Sequence, residues 1–399
     1  MFRFIRFAMI LFGLATVSAQ ARAETWSVLV YWAVDNDLYE FSIPYLRQFE
    51  KVGSGPGLNL VVETDYPGKR KSERALILKN DGSPGRPSQD LPHSLILETL
   101  PQETRSARPR TLARFLEWGR KHFPADRYAL VIGSHGMNWR GVIEDGNREE
   151  VMSLTGLRSV LRRFAHERGS PLDLLIFDAC RMAFGETLYA LRGGASYILG
   201  SQFDVNGFDH ASPLAELRAH AGFPVRALAE RYVHHYPHAD SGIPNLSAAQ
   251  LSAVPAVVDA FDRDVDRVAA GILRLDATEQ ASLRQRLQST RNEYRDSAID
   301  FSHLVDTLLE IHPDPQWVSL RARLLPAQMT IDEDGAQHLR DFRPDTPVQS
   351  SSSTRDSGPA RGISLTCSSD PTQYALSPFG RRHPAWVSAC AVLLPPAPQ

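Results

Sequence analysis

Ala129-Leu-Val-Ile-Gly-Ser-His135-Gly136 and Leu172-Asp-Leu-Leu-Ile-Phe-Asp178-Ala179-Cys180 are two apolar runs that each end on a reactive side chain. Short runs of this kind make strands buried on both faces, as in a parallel sheet covered by helices. In open parallel sheets, ligands bind beyond the carboxyl ends of the strands. A histidine and a cysteine carried past two such ends would share one cleft, which is what a thiol nucleophile and its base require.

Working outward, Trp26 to Val34 reads as a first strand, and Asp35-Asn-Asp37 with Glu40 starts a helix that Gly53-Ser-Gly-Pro-Gly57 stops. Leu58 to Thr64, Ala75 to Leu78 and Ala195 to Ser201 read as strands; Thr111 to His122, Thr155 to Glu167 and Phe184 to Leu191 read as helices. That alternation predicts an α/β fold, a mostly parallel sheet with helices on both faces, over residues 24–245. Residues 246–335 read as helical throughout, including one helix over Ala248 to Leu275 and others over 277–295, 301–311 and 317–325. Residues 336–361, with Ser350-Ser-Ser-Ser353 at their centre, read as a disordered loop, and 362–399 as a late strand and a tail.

The chain has 399 residues, 43% of them hydrophobic and 23% charged, so a packed globular protein is expected. A net charge of −2 argues against nucleic acid as a partner. Arg3 and Arg6, the apolar stretch Phe7 to Leu14 and the small-x-small site Ala21-Arg-Ala23 make residues 1–23 a signal peptide. Its removal takes away three arginines and no acids, bringing the net charge from −2 to −5. No later run approaches a membrane span, so an exported protein, periplasmic or secreted, is expected. Of three cysteines, Cys367 and Cys390 lie near each other and can pair in an oxidising compartment, which would leave Cys180 free. Spacing alone does not fix whether they do.

A free thiol has a pKa of about 8.5, so a nucleophilic Cys180 needs help to ionise. His135 supplies a base, the helix beginning near Phe184 a favourable dipole, and the amides of Gly136 and Cys180 candidate donors to an oxyanion. Each residue also has a plain structural reading: a buried cysteine after a strand, and an aspartate at 178 capping the next helix. Asp35-Asn36-Asp37 reads as a helix start and not a metal cluster, Asp332-Glu-Asp334-Gly335 lacks the spacing of a calcium loop, and His234, His235 and His238, with loose metal spacing and no cysteine near in sequence, read as a solvated helix end. No metal site is expected.

Ser134-His-Gly136 with Trp139-Arg-Gly141, and Asp173 to Met182 with Glu186, resemble the two signature segments of the clostripain family of cysteine peptidases. Asp35-Asn-Asp-Leu38, Ile198 to Ser201, Ala298 to Phe301 and Gly362-Ile-Ser364 are weaker matches in the same order; the similarity is close from Trp26 to Gly207 and loose beyond. The resemblance implies a caspase-like sandwich, here with a helical C-terminal extension, and a dyad of His135 and Cys180. It implies an endopeptidase cutting after Arg or Lys, with Asp178 in an acidic S1 pocket and Asp204 or Asp209 as further pocket residues. It also implies self-cleavage between the two signatures, where the polar stretch Glu144 to Glu150 reads as an exposed loop with Arg148 its one basic residue, and no cofactor, although some members depend on calcium. Met137-Asn138 and Gln202 to Phe208 depart from the family pattern near the cleft. These departures favour the alternative, a caspase-fold binding protein that keeps the dyad residues without turnover.

Overall fold

The computed structural model describes residues 24–68, 71–86, 90–100, 104–146, 148–202, 204–205, 207–220, 222–235, 246–250, 255–288, 296–324, 329–331, 337–339, 348–350, 363–368 and 370–394. Residues 1–23, the tail beyond residue 394, His238 and Asp332 to Gly335 lie outside them. In chain order the first strands are β1 (Trp26–Ala33), β2 (Leu58–Asp65), β3 (Glu73–Leu76), β4 (Leu95–Thr99) and β5 (Arg127–Gly133). A hairpin of β6 (Val142–Asp145) and β7 (Glu150–Met152) is followed by β8 (Leu172–Asp178), β9 (Ala195–Ser201) and β10 (Leu246–Gln250). The last strands are β11 (Asp296–Asp300), β12 (Met329–Ile331), β13 (Gln337–Leu339), β14 (Val348–Ser350) and β15 (Ser364–Ser368).

The main sheet runs β14-β10-β9-β8-β5-β1-β2-β3-β4. Its centre, from β9 to β2, is parallel, and both flanks are antiparallel. The chain leaves β1 toward β2 on one side and returns to β5 on the other, so the loops after β1 and β5 diverge and open a crevice. Successive strand residues point to opposite faces. Leu29, Tyr31, Leu130, Ile132, Leu175 and Phe177 pack on the face covered by helices Pro109–His122 and Leu154–Arg168 and by C-terminal helices. Val28, Val30, Trp32, Val131, Leu174 and Ile176 pack on the other, under Phe49 and helices Ala211–Ala219 and Val225–His235. Asp178 keeps the parity of Leu174 and Ile176 and so falls on this second face.

Three sequence expectations change. The single helix over 248–275 is replaced by β10 and a helix from Pro255 to Arg274, so the sheet continues past residue 245 by antiparallel pairing with β9. Within 336–361, expected to lack regular structure, β13 pairs with β12 and β14 pairs with β10; the rest of that stretch lies outside the described residues. Ladder bonds come from the backbone, so an edge strand needs little side-chain pattern to form. The polar segment after His135, expected as an open loop, is the β6–β7 hairpin.

The C-terminal region is joined to the same core. Ser364 bridges to Phe184, and β15 pairs with β11. Glu186 Oε1 accepts from the Thr366 amide at 2.8 Å and the Tyr374 hydroxyl at 2.6 Å. Cys367 and Cys390 form a disulfide, and Cys180 is the free thiol.

Candidate active site

Strand register brings the two signature segments together. Gly133 on β5 pairs with Asp178 on β8, so His135 and Cys180, each two residues further on, leave the sheet at the same level. The backbones beyond are in close contact: a Cβ added to Gly136 would lie 2.1 Å from the Cys180 carbonyl oxygen. Only glycine fits there. Among the described residues, neither the Gly136 nor the Cys180 backbone N–H donates a hydrogen bond.

His135 is held from the β1 loop. Its Nε2 lies 2.7 Å from Asp37 Oδ1 and 3.9 Å from Glu144 Oε2. A carboxylate oxygen can only accept, so the Asp37 contact places a proton on Nε2 and leaves Nδ1 as the acceptor nitrogen of the neutral ring. Asp37, 98 residues away in sequence, was read only as part of a helix start and a weak family match. A carboxylate past the end of the strand next to the histidine strand was the available signal.

Cys180 Sγ faces the loop after β9, with the Val205 amide at 3.4 Å and the Val205 carbonyl at 3.9 Å. Among the described residues no hydrogen bond joins it to His135. Burial pushes the thiol up to about 11; the Val205 hydrogen bond opposes this, and the Asp204 charge adds to it. The expected lowering by the following helix does not win. That helix, Gly185–Leu191, has only seven residues and begins five positions after the cysteine. Because burial disfavours the thiolate, the resting site carries a neutral thiol at neutral pH. Alkylation by iodoacetamide is therefore expected to quicken about tenfold per pH unit from pH 7 to 10 and to level near 11. An inflection below pH 8 would show instead a preformed thiolate–imidazolium pair.

Beside the thiol lies an open pocket with Trp32, Leu38, Phe41, Ser42, Tyr45, Asp178, Cys180 and Val205 in its walls. Gly133 makes room for one wall, since a Cβ there would fall 2.3 Å from the Trp32 ring. Asp178 is the carboxylate in this lining. Asp204 and Asp209 are not among the residues lining it. Asp204 pairs with Arg181 at 2.7 and 2.9 Å. Asp209 caps the next helix, accepting from the amides of Ala211 and Ser212 at 2.9 and 3.1 Å and from the Ser212 hydroxyl at 2.6 Å. Local partners have taken both carboxylates. Arg148 is exposed in the β6–β7 turn. Among the described residues no group of three or more His, Cys, Asp or Glu side chains could hold a metal ion.

A free cysteine and a histidine paired with a carboxylate thus follow the ends of two adjacent parallel strands, the residue types a thiol-dependent hydrolase uses. The model of the clostripain family matches residues 30–312, and the chain belongs to that family of cysteine peptidases. Among curated proteins no sequence matches significantly. Three solved structures share the fold. A secreted C11 cysteine protease from Bacteroides thetaiotaomicron, solved with an irreversible peptide inhibitor, superposes with a TM-score of 0.60 at 18% identity, covering 92% of this chain and 99% of that one. An inactive zymogen C11 protease from Parabacteroides distasonis gives 0.59 at 19%, covering 90% and 98%. A further secreted C11 protease from B. thetaiotaomicron, iotapain, gives 0.64 at 14%, covering 90% and 99%. The caspase-like α/β fold expected from the sequence is the fold of these proteins.

Proposed function

We propose that the chain is an exported endopeptidase that cuts peptide bonds after basic residues through a Cys180–His135 dyad. The observation that carries this reading is the register of β5 and β8, which sets the free thiol and the histidine at one level beside a cavity containing Asp178. In the first step the Cys180 proton passes to His135 Nδ1 as sulfur bonds to the scissile carbonyl carbon. The carbonyl oxygen takes up negative charge, and the Gly136 and Cys180 amides receive it. His135 then gives the proton to the departing amine, leaving a thioester that water hydrolyses with the same histidine as base. Val205 must withdraw from the sulfur for the substrate to reach it, and the neutral resting thiol makes His135 a base in the attacking step. The groups these steps use are the thiol, the imidazole, two backbone amides and the hydrolytic water.

Export is supported by the features of residues 1–23 and by the Cys367–Cys390 disulfide, a bond suited to an oxidising compartment. No helix among the described residues is long and apolar enough to cross a membrane.

A peptidyl acyloxymethyl ketone with a basic P1 residue tests the reading by intact mass. Wild type is expected to gain one adduct, mapped to Cys180, and Cys180→Ala none. Absence of labelling in the wild type would favour the binding-protein alternative. The same spectra report on maturation. Arg148 sits exposed in a hairpin turn between Gly146 and Glu149, and exposed turns are where chains are nicked. Wild type is expected to show fragments ending at Arg148 that are missing from Cys180→Ala. One uncut species in both would remove self-processing at that bond.

A further inference from the structure

The cavity carboxylate has a partner that nothing in the sequence pattern pointed to. His210 is fully buried, with Nε2 2.9 Å from Asp178 Oδ2. Its Nδ1 lies 3.2 Å from the Tyr232 hydroxyl, and its ring stacks on Phe49 with centroids 4.4 Å apart. Trp32 and Tyr232 meet the ring edge-on. A ring packed on these sides and bonded at both nitrogens has one orientation. The Phe208 amide donates to the same Oδ2 at 3.3 Å. Oδ2 is therefore occupied from two directions, while Oδ1 accepts nothing from the described residues. One oxygen of Asp178 is left for a ligand.

That count bears on which cation fits. A guanidinium draws its strength with a carboxylate from two parallel N–H···O bonds, one to each oxygen. An ammonium is a compact charge that one oxygen can receive, and its four-carbon stem suits walls of Trp32, Leu38, Phe41 and Tyr45. We propose that His210 is a specificity-determining positioning residue: by holding Asp178 Oδ2 it restricts the S1 pocket to single-oxygen recognition, so that lysine is taken in preference to arginine at P1. This rests on the reading of the cavity as a pocket for a basic residue. It also bears on processing. The chain between His135 and Cys180 carries six arginines and no lysine, so cutting at Arg148 is slower than cutting a lysyl substrate.

The test uses fluorogenic peptides identical except for Lys, Arg or norleucine at P1, with kcat/KM measured for wild type and His210→Leu. Wild type is expected to favour Lys over Arg roughly tenfold, the scale of one charge-assisted hydrogen bond. In His210→Leu the Phe208 amide remains on Oδ2 but its stronger partner is gone, so that oxygen regains an acceptor site for the guanidinium and the Lys/Arg ratio is expected to fall about tenfold. Cys180 alkylation by iodoacetamide, followed alongside, reports whether the thiol itself has changed. Should His210→Leu fail to fold, Tyr232→Phe keeps the packing and frees Nδ1; a fall of roughly two- to threefold is then expected. A wild-type ratio at or below one, or a ratio that neither folded variant moves, overturns the role of His210. Cleavage after norleucine with neither basic residue accepted overturns instead the cation pocket on which it rests.

Discussion

Cys180→Ala is expected to abolish peptide hydrolysis, a loss on the order of 10⁴-fold or more, with the thermal midpoint within a few degrees of wild type. The side chain is half-buried and, among the described residues, meets the Val205 backbone through weak contacts and the Asp204 side chain. Its loss removes the bond-forming atom and little packing. His135→Ala should cost on the order of a hundredfold or more, the usual scale for a positioned acid–base group. Because the resting thiol is neutral, the histidine's loss also leaves no acceptor for the thiol proton. Hydrolysis on any peptide by Cys180→Ala at the wild-type rate would place the chemistry elsewhere. A drop in the thermal midpoint of both variants would make them structural residues.

Asp178→Asn should reduce kcat/KM for peptides with basic P1 residues by on the order of a hundredfold, because breaking a desolvated charge pair costs about 3 kcal/mol. Alkylation of Cys180 by a small uncharged reagent should change by less than about threefold, since the reagent does not enter the cation site. The amide keeps one acceptor oxygen and the side-chain shape, so contact with His210 and the Phe208 amide can persist. What it loses is charge. Equal losses toward both reagents would mean that Asp178 supports the dyad or the fold and does not read the substrate.

The central sheet was legible because its strands are buried on both faces, and an unbroken apolar run has few other uses at that length. β1, β2, β5, β8 and β9 fall where the runs lie, within a residue or two at their ends. The flanks were not legible. β10 and β14 draw their place from backbone pairing with a neighbour already present, and helical spacing across Ala248 to Leu275 masked the first of them. The β6–β7 hairpin was hidden in polar sequence, because its pairing depends on anchors outside itself, such as the Gly146 amide donating to the Asp35 carbonyl at 2.7 Å.

The site divides in the same way. Cys180, His135, Gly136 and Asp178 were readable because each follows directly from a strand end, where chain direction and two-residue parity decide which way a side chain leaves the sheet. Asp204 and Asp209 were placed by the resemblance, in the loop after the next strand, and a place in a loop does not say which partner a carboxylate will find. One met Arg181 and the other its own helix amides. Asp37 reaches His135 across 98 residues and His210 reaches Asp178 across 32. The sequence by itself determined the layered sheet, the class of nucleophile and the carboxylate beside it, since these depend on hydrophobic runs and the residues that end them. Only the tertiary structure decided the state of the thiol, the tautomer of its base and the oxygen Asp178 leaves open. Those depend on burial and on contacts that exist only once distant segments have packed.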